Sequence, residues 1–450
     1  MNINFYIRKL KKHYIQFYSP EEIEMNFLNL VGMEKEKETL KDAMFFFESL
    51  KKGVNLKIQP HTRYSLFGEL GSGKASLVYA LAKEANVPII YAPTSAIIAS
   101  AKKMINVIDL IFKVSSAFPG GCIIHFQEFT STQSLQSNQL LLFYNHFLSK
   151  IEESKNTVIF LSTTSELLAL PAGFLTPDKF SKCIALQHPP LKAREDLFKM
   201  YIQKYNLKLA KDVDINRLAR NTFGMYPKDV AYTVKEVSLY ASRKNLESIS
   251  MRDFNEIILS TEAGESNLKL SEKERISTAY HEAGHVIAAY YSNPNYILGR
   301  VEITPRAFSL GLTKEESGEE KFCMFRHDYI NELIYCLGGM AAEQVVYGET
   351  SSGVSSDLRA AATYLSAMFE KLGMDSDVGP IIYDPDFGFG SNEFLCKVEF
   401  AEQKFIKELY ARTIGIIECH KDKLEALAKA LLEHEVLLGS EIKEILDKTW

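Results

Sequence analysis

The sequence predicts an α/β P-loop domain, a parallel sheet with a helical lid, followed by a mainly α domain. Three observations predict it. Short buried-type apolar runs alternate with helix-periodic stretches between Tyr64 and Leu186. A Gly-rich turn, Gly68–Ser76, stands directly between one such run and a helix. From Leu191 onward nearly every periodic stretch has helical spacing. A chain of 450 residues is too long for one core, and shifts of pattern divide it into 1–25, 26–190, 191–262 and 263–450.

The segment 1–25 is basic and amphipathic, with cations and aromatics interleaved in Phe5-Tyr6-Ile7-Arg8-Lys9-Leu10-Lys11-Lys12-His13-Tyr14-Ile15. Such a helix lies on an anionic membrane surface, or packs on its own protein or a partner; the second is the commoner outcome. Residues 26–60 read as helical, with Leu40, Met44, Phe47 and Leu50 on one face. Tyr64–Phe67, Val87–Tyr91, Gly121–Glu128, Val158–Thr164 and Lys182–Leu186 read as strands, with 96–118 mostly helix between the second and third. Strands separated by helices point to a parallel, doubly wound sheet with the P-loop at its edge.

Residues 191–259 read as helices with Gly224 and Pro227 at an internal turn, and 261–270 as a polar linker. The helix around His281 starts at a capping box, Ser271 with Glu274, and stops before Pro294. Gly299–Thr304 is strand-like and 307–320 irregular and acidic. Helices over Asp328–Tyr347, Ser355–Leu372, 395–419 and 421–433 follow, with a Gly- and Asp-rich loop at 373–392 and a short last helix.

Hydrophobic residues make up 46% of the chain and charged ones 24%, the balance of a soluble globular protein. A net charge of -5 argues against a polyanion partner, so no nucleic acid is expected. Cys122, Cys183, Cys323, Cys336, Cys396 and Cys419 form no CxxC pair and fit a reducing cytoplasm. Apolar runs such as Val158–Leu161 and Val286–Tyr290 fall far short of a spanning helix, and no signal peptide is evident.

Gly68-Glu69-Leu70-Gly71-Ser72-Gly73-Lys74 after a strand and before a helix is the P-loop pattern. The amides of such a loop cradle phosphates. Gly68, Gly71, Ser72, Gly73, Lys74 and Ala75 are therefore candidate nucleotide-binding residues, with Lys74 reaching the outer phosphates. The residue after the lysine normally carries a hydroxyl for magnesium, and here it is Ala75. Ser76 comes one place late, turned by about 100° around the helix. The strand Gly121–Glu128 ends where an ATPase has two acids, one to hold the metal and one to polarise water. Gln127 replaces the first, and only Glu128 remains. ATP is an expected ligand, with its hydrolysis in doubt.

The second motif is His281-Glu282-Ala283-Gly284-His285. On a helix the two histidines sit one turn apart on one face, within reach of one zinc ion. Glu282 stands beside them to take a proton from the attacking water. Catalytic zinc needs a third protein ligand, and position 291 is Tyr. Asp357 heads a helix, where an ordinary N-cap is the plain alternative. Glu343 lies mid-helix, where a solvated charge or an acceptor behind a ligand histidine is the alternative. Spacing does not choose between them.

Together these motifs resemble the FtsH family of membrane-anchored AAA+ zinc metalloproteases. The likeness runs from about Leu28 and includes Leu30-Val31-Gly32, Ala279–His285, Gly338-Gly339 with Ala342-Glu343, Tyr347-Gly348, Gly353–Asp357 and Leu372-Gly373 leading to Gly379-Pro380. The resemblance implies an AAA+-like first domain and a zinc-metallopeptidase second domain. It implies His281, His285 and Asp357 as zinc ligands and Glu282 as general base, with Glu343 structural or behind a ligand. It also exposes departures, all but one of them in the ATPase half. Glu69-Leu70 replace two prolines, and Thr176 and Lys179 stand at the arginine-finger places. Thr164 or Ser165 replaces the sensor Asn, and Ala96–Ala101 lacks the pore aromatic. No stretch of this sequence has the length and apolarity expected of the family's transmembrane anchor.

The expected function is that of a zinc-dependent metalloendopeptidase acting on unfolded or loosely structured polypeptides. Its degenerate AAA+ domain is expected to bind nucleotide and hydrolyse it poorly, in a homo- or hetero-hexameric ring. The alternatives are a non-catalytic or chaperone-like subunit of such a ring, or a fully ATP-dependent protease using Ser76 or Glu128 as substitutes. A cytoplasmic setting is expected, with the basic N-terminus as the candidate for peripheral membrane contact.

Overall fold

The apolar runs of the first half become one six-stranded sheet, order β1-β3-β4-β5-β2-β6, in a computed structural model. It describes residues 3–448 apart from 55, 59, 101–102, 165–173, 175, 177–178, 181, 264–269, 306–310, 316–322 and 383–391. The chain divides into two units, Met1–Ile249 and Ser250–Trp450.

The first unit runs α1 (Ile3–Lys11), β1 (Gln16–Tyr18), α2 (Glu34–Thr39), α3 (Lys41–Lys51), β2 (Arg63–Phe67), α4 (Lys74–Glu84), β3 (Ile89–Pro93), α5 (Thr94–Ala99), α6 (Met104–Ser115), β4 (Cys122–Gln127), α7 (Ser137–Glu153), β5 (Thr157–Thr163) and β6 (Lys182–Ala185). The lid helices α8 (Leu191–Lys204), α9 (Ile215–Arg220) and α10 (Pro227–Lys244) follow. The centre of the sheet is apolar because helices cover both faces; every residue of β5 is buried. Arg194 on α8 is buried among the lid helices, where its guanidinium donates to the carbonyls of Ala219 and Pro189.

Two expectations about the sheet need correction. The P-loop strand β2 is not at the edge: it pairs in parallel with β5 on one side and β6 on the other. The sheet is also not wholly parallel, because β1 pairs antiparallel with β3, Gln16 opposite Tyr91. The cause lies in the N-terminal segment. Leu10 and Ile15 are fully buried in the core that β4 and α6 share. Tyr6 lies beneath the Lys113 ammonium at 4.5 Å. The apolar side of this basic helix therefore faces its own domain, while Lys9, Lys11 and Lys12 stay in solvent. The helix expected over 26–60 is likewise shorter. It breaks between α2 and α3 and ends at Lys51, before Gly53 takes a left-handed φ of 64°.

The second unit runs α11 (Met251–Ala263), α12 (Glu272–Ser292), β7 (Leu298–Glu302), β8 (Leu312–Glu315), α13 (Arg326–Tyr347), α14 (Ser355–Ser366), α15 (Asn392–Cys419), α16 (Lys421–His434), β9 (Val436–Leu438) and α17 (Gly439–Asp447). Its small antiparallel sheet, order β8-β7-β9, leaves β8 on the outside. The helix expected to reach Leu372 closes with a π turn at Ala367–Lys371. Most of the linker expected at 261–270, and most of the second half of the loop at 373–392, lie outside the described residues. No described helix is long and apolar enough to cross a membrane.

Candidate metal centre and nucleotide pocket

The capping box forms as the sequence predicts. Ser271 Oγ accepts from the Glu274 amide, and the Glu274 carboxylate accepts from the Ser271 amide at 2.8 Å. This fixes the start of α12 and so the face on which His281 and His285 project. Ala279, Ala283, Val286 and Ile287 bury the helix in the second unit's core. Glycine brings α13 close. A Cβ at Gly284 would stand 2.5 Å from the Gly338 carbonyl oxygen, and one at Gly339 would stand 2.5 Å from the His281 ring. Only bare backbone lets the imidazole lie against α13.

Each histidine spends Nδ1 on an oxygen. His285 Nδ1 lies 2.7 Å from the Tyr335 carbonyl, which can only accept, so Nδ1 carries the proton and Nε2 a lone pair. His281 Nδ1 lies 2.8 Å from Glu343 Oε1. The two Nε2 atoms then face each other at 3.1 Å. Asp357 Oδ2 sits 3.0 Å from His281 Nε2 and 3.5 Å from His285 Nε2. With His281 neutral all three are acceptors, and three acceptors converging are a cation site. Two nitrogens bound tetrahedrally to zinc stand roughly 3.3 Å apart, so the donor set fits this metal in number, type and spacing.

The acids favour a cation here. Burial works against a charged His281, but Asp357 and Glu343 push its pKa up to about 10, so without a metal a proton takes the place among the three atoms that a metal ion would fill. Burial likewise opposes the Asp357 charge, yet the two histidines hold its carboxyl well below the usual range. Of the two acids that spacing leaves open, Asp357 joins the converging atoms. Glu343 stands behind His281, where it also accepts from the Ser351 amide and hydroxyl.

Glu282 is buried beside this cluster, and burial raises its carboxyl pKa. Its Oε2 accepts from the Thr313 hydroxyl of β8 at 2.6 Å. A Cβ at Gly311 would stand 2.7 Å from Glu282 Cγ and Oε1, so a side chain there would push the strand off. The Tyr335 hydroxyl donates to the Thr313 carbonyl at 2.7 Å, tying β8 to the residue that orients His285. Sequence reading gives Thr313 and Tyr335 no part in the metal site; the resemblance implies only that the stretch after Gly311 is a substrate-binding edge strand. Neither belongs to a motif, and both act through contacts distant in the chain.

The P-loop borders a cavity of about 350 Å³ lined by Gly71, Gly73, Lys74, Ala75, Ser76, His125, Gln127, Glu128, Ser162, Tyr201 and Lys228 among others. Gly68, Gly71 and Gly73 all have positive φ, which only glycine tolerates in series. Ser72 Oγ is buried without a hydrogen-bond partner among the described residues. Lys74 folds back onto the carbonyls of Gly68 and Glu69, and burial lowers its pKa. Glu128, itself at φ 50°, accepts at Oε2 from the Thr164 amide and hydroxyl at 3.1 and 3.0 Å. Thr176 and Lys179 lie on one turn, the Lys179 amide donating to the Thr176 carbonyl at 2.9 Å.

Both halves match known families. The model of peptidase family M41 covers residues 268–445, and that of the ATPase family associated with various cellular activities covers 64–188. The ATP-dependent zinc metalloprotease FtsH 2 of Methylacidiphilum infernorum is 28% identical over 94% of this chain and 69% of its own length. The chain belongs to the FtsH-type AAA+ zinc metalloprotease family. YME1L of Drosophila melanogaster, another ATP-dependent zinc metalloprotease, is 29% identical over 96% of this chain and 60% of its own length. FtsH of Thermotoga maritima is 28% identical over 94% and 73%. A solved katanin chain superposes on 57% of this chain with a TM-score of 0.47 and 17% identity. In this FtsH-type chain the peptidase match contains His281, Glu282, His285, Glu343 and Asp357, and the ATPase match contains the whole P-loop and Glu128.

Proposed function

We propose that the protein is a zinc-dependent endopeptidase of loosely structured polypeptides, with an AAA+ domain that binds nucleotide and hydrolyses it poorly. The observation that carries this is the convergence of His281 Nε2, His285 Nε2 and Asp357 Oδ2 beside the buried carboxylate of Glu282. Held by those three side chains, zinc would polarise the scissile carbonyl and acidify the attacking water. Glu282 carries the proton, taking it from the water and delivering it to the leaving amine. Thr313 holds Oε2 and leaves Oε1 for that exchange. The outer position of β8 lets an extended substrate add alongside it.

Poor hydrolysis follows from Ala75, Gln127 and the engaged Glu128, since each lost group costs orders of magnitude in phosphoryl transfer. Ring assembly, homo- or hetero-hexameric, rests on the AAA match. Free cysteines throughout support a reducing compartment. The ATPase losses favour a second reading, a subunit that lends peptidase sites or scaffold to an intact ring. One purified sample tests these together through zinc content, peptide release from casein and phosphate release, with Glu282→Gln and Lys74→Ala as controls. Peptide release that Glu282→Gln leaves unchanged overturns the peptidase, and phosphate release well above the Lys74→Ala level overturns poor hydrolysis.

A further inference from the structure

The P-loop cavity is cationic on two sides and offers little to a hard divalent ion. Magnesium seeks carboxylate, hydroxyl and phosphate oxygens. At the places from which a P-loop domain holds it, this chain has a methyl group, Ala75, and an amide, Gln127. Beside them His125 is wholly buried, its Nε2 hydrogen-bonded with Ser162 Oγ at 2.9 Å. Burial first, and the Lys74 charge second, lower its pKa to about 3, so the ring stays neutral. Glu128, the carboxylate lining the cavity, is engaged by Thr164. Ser76 also lines the cavity, but it stands one place past the position that holds magnesium, so this donor set does not fit the ion.

Positive charge comes from the lid instead. Lys228, in the first turn of α10, lies against the loop: a Cβ at Gly71 would stand 3.1 Å from Lys228 Cβ and 3.5 Å from its Cδ. Its side chain lines the cavity, and it makes no ion pair among the described residues. Tyr226, the N-cap of α10, touches the same glycine position at 3.7 Å, so the positive end of this 18-residue helix also abuts the loop. Lys74 needs only to release two carbonyls to face the same space.

We propose that this cavity takes a nucleoside di- or triphosphate without a divalent cation, Lys74 and Lys228 supplying the charge that magnesium supplies in a working P-loop ATPase. The proposal rests on the nucleotide-binding reading above and gives that site its ligand chemistry. The test is titration of the full chain with fluorescent ATP and ADP analogues, once in EDTA and once in millimolar magnesium. Wild-type affinities should agree within about threefold between the two buffers, and Lys228→Ala should weaken both by about tenfold. An Ala75→Thr/Gln127→Asp variant should gain magnesium dependence for the triphosphate. Wild-type binding that weakens tenfold or more in EDTA, or a Lys228→Ala affinity equal to wild type, overturns the proposal and leaves nucleotide binding standing. Absence of binding in both buffers overturns the nucleotide reading itself, and the proposal with it.

Discussion

Thr313 Oγ1 donates to Glu282 Oε2 at 2.6 Å, joining the outer strand β8 to the carboxylate beside the two histidines. This hydrogen bond sets which way the Glu282 oxygens point. Removing the hydroxyl while keeping the shape should leave the carboxylate free to rotate. Thr313→Val is expected to lower kcat for casein-derived peptides by about tenfold with KM little changed, and Thr313→Ser to restore most of it. Equal losses in Val and Ser variants would mean that the strand, not the hydroxyl, matters.

Glu343 accepts from His281 at 2.8 Å and from Ser351 at its other face. It fixes a His281 proton on Nδ1, so that Nε2 is the ring atom left for a metal. Glu343→Ala removes that control, and zinc affinity should fall about 10- to 100-fold in competition with a chromogenic chelator. Ser351→Ala loses one bond and keeps the backbone amide, so its effect should be several-fold smaller. Unchanged affinity in Glu343→Ala would make the residue a packing element only.

The parts of this site that the sequence made legible are those whose cause is local. The capping box at Ser271 and Glu274 and the His281–His285 spacing sit within a few turns of one helix, and the P-loop glycines within one turn of chain. Asp357 is 76 residues from His281, and its place is decided by how α13 and α14 pack, which no spacing encodes. Lys228 reaches the P-loop from the lid for the same reason. The strands β1 and β9 are three residues each, too short for a period-two pattern, and exist because a neighbouring strand offers its edge.

The two helices that carry the metal residues meet through glycine, and this can be weighed against a glycine with free space. A methyl group at Gly284 would collide with Ala342 Cβ and the Gly338 carbonyl, both at 2.5 Å. Gly284→Ala should therefore cost about 1–3 kcal/mol, read from urea unfolding in the presence of chelator. Gly415, inside α15, has nothing within 4 Å of its Cβ position. Gly415→Ala should gain about 0.5–1 kcal/mol by helix propensity alone. A loss at both positions would show that α15 relies on something other than local geometry at Gly415.

Glu402 on α15 gives the second unit a pH dependence separate from the metal residues. It is half-buried, and its Oε1 is buried without a hydrogen-bond partner among the described residues. Burial, then the charges of Glu370 and Glu399, raise its carboxyl to about 7 from an ordinary 4.5. An acid whose folded pKa exceeds its unfolded value binds more protons when folded. Its contribution to stability is therefore whole below pH 4.5, declines as the pH rises to about 7, and is lost above that. Glu402→Gln keeps the shape and removes the titration. The variant should match wild type in urea unfolding below pH 4.5 and exceed it above pH 7, with the difference opening between those values. Parallel stability curves across that window would place the Glu402 charge in solvent in both states.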